Sequence, residues 1–174
     1  MSTFDDEKRM QPFMDEWYRK KGATNIDRSQ SCKQFDVIVT INGYSWKIEE
    51  KFLFTDTYDQ GLVEIIQDMN TNDPGWFYHL DCHTLLWIYC GLDNGRNGKI
   101  PKPPIEIHSI KWPHLKNYIL ERWTEETWAT FQICPKHYGT TLNYPVDWYD
   151  LQEKNISIVY PGDYYINKIA PSNT

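Results

Sequence analysis

Long apolar runs are missing from this chain. No stretch approaches the roughly 18 to 20 consecutive apolar residues that a membrane-spanning helix requires, so a membrane partner is not expected. The opening residues, MSTFDDEKRM, are acidic and polar with no apolar core, so no secretory leader is expected either. Cysteine is sparse: Cys32, Cys82, Cys90 and Cys134 are scattered without the spacing of a disulfide framework. They read as reduced thiols, and the expected compartment is the cytoplasm. Cys82, His83, Cys134 and His137 match no standard zinc spacing, so a structural zinc is set aside. A basic surplus is also missing. The net charge is −6, which argues against tight, non-specific binding of nucleic acid by charge alone.

Aromatic residues, by contrast, are plentiful. With eight Trp, twelve Tyr and seven Phe among 174 residues, the composition is globular, and the length fits one domain with a real core. Charge is unevenly spread. Residues 1–51 hold nine basic and nine acidic side chains, which leaves nine basic and fifteen acidic for residues 52–174.

The most informative stretch is FDVIVTINGYSWKIEEKFLF, Phe35 to Phe54. Asn42-Gly43 joins two runs rich in β-branched and aromatic residues. A type I′ turn needs positive φ at both central positions, so this dipeptide predicts a hairpin. A two-residue turn fixes register. If Ile41 faces Tyr44, then Val39 faces Trp46, Val37 faces Ile48 and Asp36 faces Glu49. Like charges placed opposite one another are destabilising, unless a divalent cation sits between them. Lys51, two residues beyond Glu49, falls on the same face. One turn therefore collects Asp36, Glu49 and Lys51, while Glu50 points its carboxylate at the opposite, apolar face of Trp46, Ile48 and Phe52.

Asp36, then twelve residues, then Glu49-Glu50-Lys51 resembles the PD-(D/E)XK (restriction-endonuclease-like) nuclease superfamily, with Phe35 where that motif has proline. The resemblance implies an α/β fold: a restriction-endonuclease-like core, its mixed central sheet starting with the β-hairpin and flanked by helices in α-β-β-α-β order. The whole chain, 1–174, would be one domain, its core about 3–122 and an irregular aromatic C-terminal extension about 123–174. The implied activity is metal-dependent hydrolysis of phosphodiester bonds. Asp36 and Glu49, with the backbone carbonyl of Glu50, would hold Mg²⁺ or Mn²⁺; Lys51 would orient the attacking water or stabilise developing charge. Glu7, on the first helix, is a further candidate ligand. The expected partner is nucleic acid, DNA favoured over RNA, with the oligomeric state open and a homodimer included. The alternative is a catalytically inactive nuclease-fold protein acting as a binding, inhibitor or structural module, which the acidic surplus favours.

Around this motif, Asp5 to Lys21 reads as a helix with Met10, Met14 and Trp17 on one stripe and Pro12 as a break or restart. Thr24 to Gln34 reads as a polar link offering Arg28 and Lys33 as phosphate contacts; Lys47 is a third. Thr55 to Asn70 reads as a helix carrying Tyr58, Leu62, Ile65, Ile66 and Met69 on one side and Gln60, Glu64 and Gln67 on another. Gln60 or Gln67 would reach the site if the chain follows those family branches that use a glutamine. Gly61 lowers the stability of such a helix and could admit a close approach. Cys82 to Cys90 reads as a central strand buried on both faces. Gly91 to Pro104 is a loop bearing Arg96, Lys99 and Lys102 that could guide a nucleic-acid strand. Ile105 to Ile110 and Ile156 to Tyr160 read as strands, with a helix at Pro113 to Glu121.

Overall fold

The computed structural model describes residues 3–92, 94, 100–125, 131–136 and 139–161. It begins with helix α1 (Thr3–Lys20), which continues through Pro12 without a break. Proline removes one helical hydrogen bond, and its partner carbonyl would be that of Lys8. Pro12 and Lys8 are both exposed, so water can satisfy that carbonyl. Met10, Met14, Trp17 and Tyr18 form the buried stripe of this helix.

The segment expected to be a polar link contains strand β1 (Ala23–Asp27). The hairpin follows as β2 (Val37–Ile41) and β3 (Tyr44–Leu53). Its register is the expected one: Ile41 faces Tyr44, Val39 faces Trp46 and Val37 faces Ile48. Asn42 and Gly43 both have positive φ, 52° and 80°, as the I′ turn requires.

Residues Thr55 to Asn70 do not form the expected helix. They hold strand β4 (Gln60–Asp68), followed by the short β5 (Asp73–Pro74) and a four-residue helix α2 (Trp76–His79). Val63 and Ile65 are buried, Gly61 disfavours a helix, and a short apolar run does not distinguish the two periodicities. Strand β6 (Thr84–Tyr89), strand β7 (Glu106–Lys111) and helix α3 (Trp112–Glu125) lie where strand, strand and helix were expected. The described part of the C-terminal region is not irregular. It supplies β8 (Gln132–Lys136), β9 (Gly139–Asp147), α4 (Trp148–Glu153) and β10 (Ser157–Pro161). Pro135 and Pro145 lie inside strands. The α-β-β-α-β order is therefore not followed.

Two sheets result. A mixed six-stranded sheet has the order β1-β2-β3-β6-β7-β10, in which only the β3–β6 pairing is parallel. An antiparallel four-stranded sheet has the order β5-β4-β9-β8. One face of the large sheet packs on α1 through Val37, Val39, Ile48, Leu86 and Ile88. Its other face, with Leu85, Trp87, Tyr89 and Ile110, packs on the second sheet and on α3 and α4. Leu142, Tyr144, Val146 and Leu151 belong to that cluster, so residues after 123 are part of the core. No described helix is long and apolar enough to cross a membrane.

Gly61 shows why β4 tolerates a glycine. A Cβ there would lie 2.4 Å from the Trp148 ring, so the missing side chain is the space the indole occupies. Gly61→Ala is therefore expected to destabilise the fold by about 1–3 kcal/mol through overpacking. Denaturant unfolding followed by tryptophan fluorescence measures this, and an unchanged midpoint would contradict the packing of Trp148 on β4.

Candidate active site

The site forms where the chain enters the hairpin. Asp36 sits at the bend just before β2. Its backbone N–H donates to the Ile48 carbonyl (2.9 Å), and its carboxylate Oδ2 accepts from the Glu50 N–H (2.8 Å). That second bond ties Asp36 to β3 and holds its side chain beside Glu49. The Glu49 side chain is only 7% exposed, and Lys51 donates a charge-assisted hydrogen bond to its Oε1. Burial, the largest influence, pushes the Glu49 carboxyl up to about 7. Lys51 opposes this, while the charge of Asp36 and a side-chain hydrogen bond with it push further upward. Two carboxylates set side by side repel one another, and the Lys51 ammonium offsets part of that repulsion.

Glu7 also belongs to this neighbourhood. Burial raises its carboxyl pKa first, then the Asp36 charge, with Lys51 acting in the opposite sense. Glu7, Asp36 and Glu50 line a cavity of about 260 Å³ together with Lys8, Gln11 and Arg28. Lys51 Nζ lies 5.5 Å from the centroid of the Trp76 ring, within cation–π range. Cys82 is a neighbour that sequence reasoning did not place there. Its buried thiol is pushed up to about 12, by burial first and then by the Glu49 charge, so it is an inert wall of the site.

Glu50 projects from the opposite face of β3, as its position in the strand requires. There it is buried, and it accepts hydrogen bonds from Tyr18 Oη (2.7 Å), Arg28 Nη1 (2.7 Å) and Arg28 Nη2 (3.1 Å). Arg28 also binds Asp15 through Nε (3.0 Å) and Nη2 (2.8 Å). Arg28, read from sequence as a phosphate contact, is thus the counter-ion of a buried glutamate. Burial opposes its charge, but the hydrogen bonds and charges of Glu50 and Asp15 prevail and raise its pKa. Burial raises the Glu50 carboxyl pKa, with Arg28 and Tyr18 pulling it back. Neither Asp15 nor Tyr18 carried a sequence signal for this role beyond lying on the inward side of α1.

The remaining candidates are dispersed. Lys47 forms an ion pair with Asp81 (2.9 Å), and Lys33 is exposed in a turn before the hairpin. Gln60 and Gln67 are exposed near the two ends of β4, because that segment is a strand and not a helix. The Lys102 backbone is bound at both N–H and carbonyl by the Asn94 side chain (2.6 and 2.8 Å). Arg96 and Lys99 lie outside the described residues.

The donor set suits a hard cation: two carboxyl groups and a nearby backbone carbonyl at Glu50, whose shell water would complete. Among the described residues no group of three or more His, Cys, Asp or Glu side chains is arranged to hold a metal ion. The set at hand is the Asp36–Glu49 pair, with Glu7 nearby. No family model, curated protein or solved structure matches this chain.

Two measurements check these interactions. Removing Arg28 leaves a buried carboxylate without its counter-ion, so Arg28→Ala is expected to cost about 3–5 kcal/mol. Adding Glu50→Gln should restore part of that loss in a urea melt, and a change below about 1 kcal/mol in the single variant would rule out the pairing. The second concerns pH. A Glu49 carboxyl titrating at about 7 when folded, against an ordinary value of 4.5, keeps its proton in the folded state across that window. Its contribution to stability is full below the unfolded value and is lost as pH rises through 7. In EDTA, the parent should therefore lose up to about 3 kcal/mol more than Glu49→Gln between about pH 5 and pH 8. Parallel pH profiles for the two proteins would contradict it.

Proposed function

We propose that this protein is a metal-dependent nuclease of the PD-(D/E)XK kind, built on a restriction-endonuclease-like version of its mixed sheet. It hydrolyses phosphodiester bonds in nucleic acid, DNA being favoured. The observation that carries the reading is the contact between the Asp36 and Glu49 carboxyl groups, with Lys51 bound to Glu49. Asp36 and Glu49, with the Glu50 carbonyl, are the groups that would hold Mg²⁺ or Mn²⁺, and Glu7 would join them. Such an ion, when bound, supplies a water of lowered pKa and neutralises charge on the phosphoryl oxygens.

The chain's own residues do the rest. A cation held there would offset the repulsion between the two carboxylates and so would favour the charged form of Glu49. Lys51, one-third exposed, keeps its ammonium at the edge of the site, where it can orient a water or meet negative charge developing on the phosphate. Water oxygen bonds to phosphorus and releases a proton as one P–O bond breaks, and the leaving oxygen takes up a proton. Lys33 and Lys102 are exposed side chains available to the phosphate backbone.

A second reading, a catalytically inactive nuclease-fold protein acting as a binding, inhibitor or structural module, is favoured by one observation: no set of three metal-type ligands is arranged among the described residues.

Incubation with linear, nicked and single-stranded DNA and with RNA, in Mg²⁺ or Mn²⁺, separates the two. Cleavage by the parent, reduced at least about 100-fold by Asp36→Ala and by Lys51→Ala, is the expected result. Equal activity in all three proteins would point to a contaminant and end the assignment. A folded parent that cleaves none of these substrates would leave the inactive module as the reading.

A further inference from the structure

Two strands across the large sheet from Lys51, on the same face, lies a second constellation. The register places Lys51 beside Trp87 and Trp87 beside His108. Trp76, Trp87 and Trp148 fill the interval, with ring centroids 6.2 Å and 5.5 Å apart along that series. Beyond them is a cavity of about 440 Å³ whose walls include Tyr58, Asp59, Glu106, His108, Asp147 and Tyr149.

His108 is the informative member. It is 2% exposed, its ring lies 4.4 Å from that of Trp148, and its Nε2 is 2.7 Å from Glu106 Oε1. Nδ1 is buried and has no hydrogen-bond partner. Burial lowers the pKa of this imidazole, while Glu106 opposes that shift. In the neutral ring, Nε2–H donates to the Glu106 carboxylate, and Nδ1 is left as an acceptor. Leaving a buried acceptor unsatisfied carries a penalty, which a ligand N–H that displaces the wall atoms covering Nδ1 would remove.

The rest of the wall has the same character. Asp59, Glu106 and Asp147 present carboxylates, and no lysine or arginine lines the cavity. One Asp147 oxygen already caps α4 by accepting from the Asp150 N–H (3.0 Å). Tyr58 and Tyr149, 61% and 70% exposed, offer aromatic faces at the opening. Carboxylates, an unsatisfied imidazole acceptor and aromatic rings together suit a planar, positively charged group rich in N–H donors.

We propose that this cavity is a binding site for a guanidinium group, separate from the Asp36–Glu49–Lys51 cluster. The group comes either from a small alkylguanidine or from an arginine side chain of a partner. Calorimetric titration of the full chain with agmatine and with N-acetylargininamide tests this, and N-acetylcitrullinamide serves as the uncharged counterpart of the same shape. Saturable binding of at least one guanidinium probe, with at least tenfold weaker binding of the citrulline compound, is expected. Tighter binding of agmatine assigns a small molecule; equal or tighter binding of the argininamide assigns a side chain. Glu106→Gln and Asp59→Asn should each weaken binding at least tenfold, whereas Lys51→Ala should leave it unchanged. The Nδ1 resonance of His108 in a ¹⁵N spectrum should move on titration, a readout that a purely structural histidine would not give. Absence of saturable binding by both cations, or equal binding of the citrulline compound, would overturn the proposal.

Discussion

The constraint behind this structure is that β3 is covered on both faces. A strand sends successive side chains to opposite sides, so the adjacent glutamates Glu49 and Glu50 enter two different interiors, each about 5% exposed. Neither can rely on water. On the α1 side, Glu50 is met by an arginine fork and a tyrosine hydroxyl, with Asp15 binding the arginine from behind. On the other side, Glu49 is met by Lys51 and by the Asp36 carboxyl. The first arrangement is a closed ion-pair network. The second sets two acids side by side with the Lys51 ammonium as their counter-charge. That asymmetry separates the glutamate held by an arginine fork from the one set beside a second carboxyl.

The same double burial explains how the rest of the chain is used. The second face of the large sheet needs a cover, and β4 and β9 supply it from distant parts of the sequence. Their sheet depends on a close contact, the Trp148 indole lying where Gly61 has no side chain. Trp148 in turn lies on His108, donates from Nε1 to the Tyr89 hydroxyl (3.1 Å), and receives the Gln152 amide at its carbonyl (3.1 Å). Part of the aromatic abundance of the chain thus forms one continuous band on this face. It runs from Trp76 beside Lys51 to the acid-lined cavity around His108, and keeps the two polar sites apart on one sheet face.

Much of the candidate site was legible before any coordinates. Asn42-Gly43 set the register of β2 and β3 through local backbone chemistry, and strand alternation then placed Lys51 with Glu49 and set Glu50 apart. Helix α1 was legible from its apolar spacing, and β6 from its unbroken apolar run. The region after Thr55 was not. Its apolar residues satisfy a helical stripe and a buried strand equally, and its partner β9 lies some eighty residues further on. The C-terminal strands were obscured by Pro135 and Pro145, whose tolerance is a matter of sheet position.

What the sequence by itself determined is local: a two-residue turn, its register, and the face of each side chain in the strands it joins. Those follow from φ preferences and period-two alternation, which act over a few residues. The tertiary structure decided what each charge meets. Arg28 could be a phosphate contact or a counter-ion, and only the approach of α1 and β1 to β3 made it the partner of Glu50. Glu106 and His108 were an unremarked pair in a strand until β10, α4 and the loop before β4 closed around them. Such partnerships depend on desolvation by segments remote in the chain, and no local pattern encodes them.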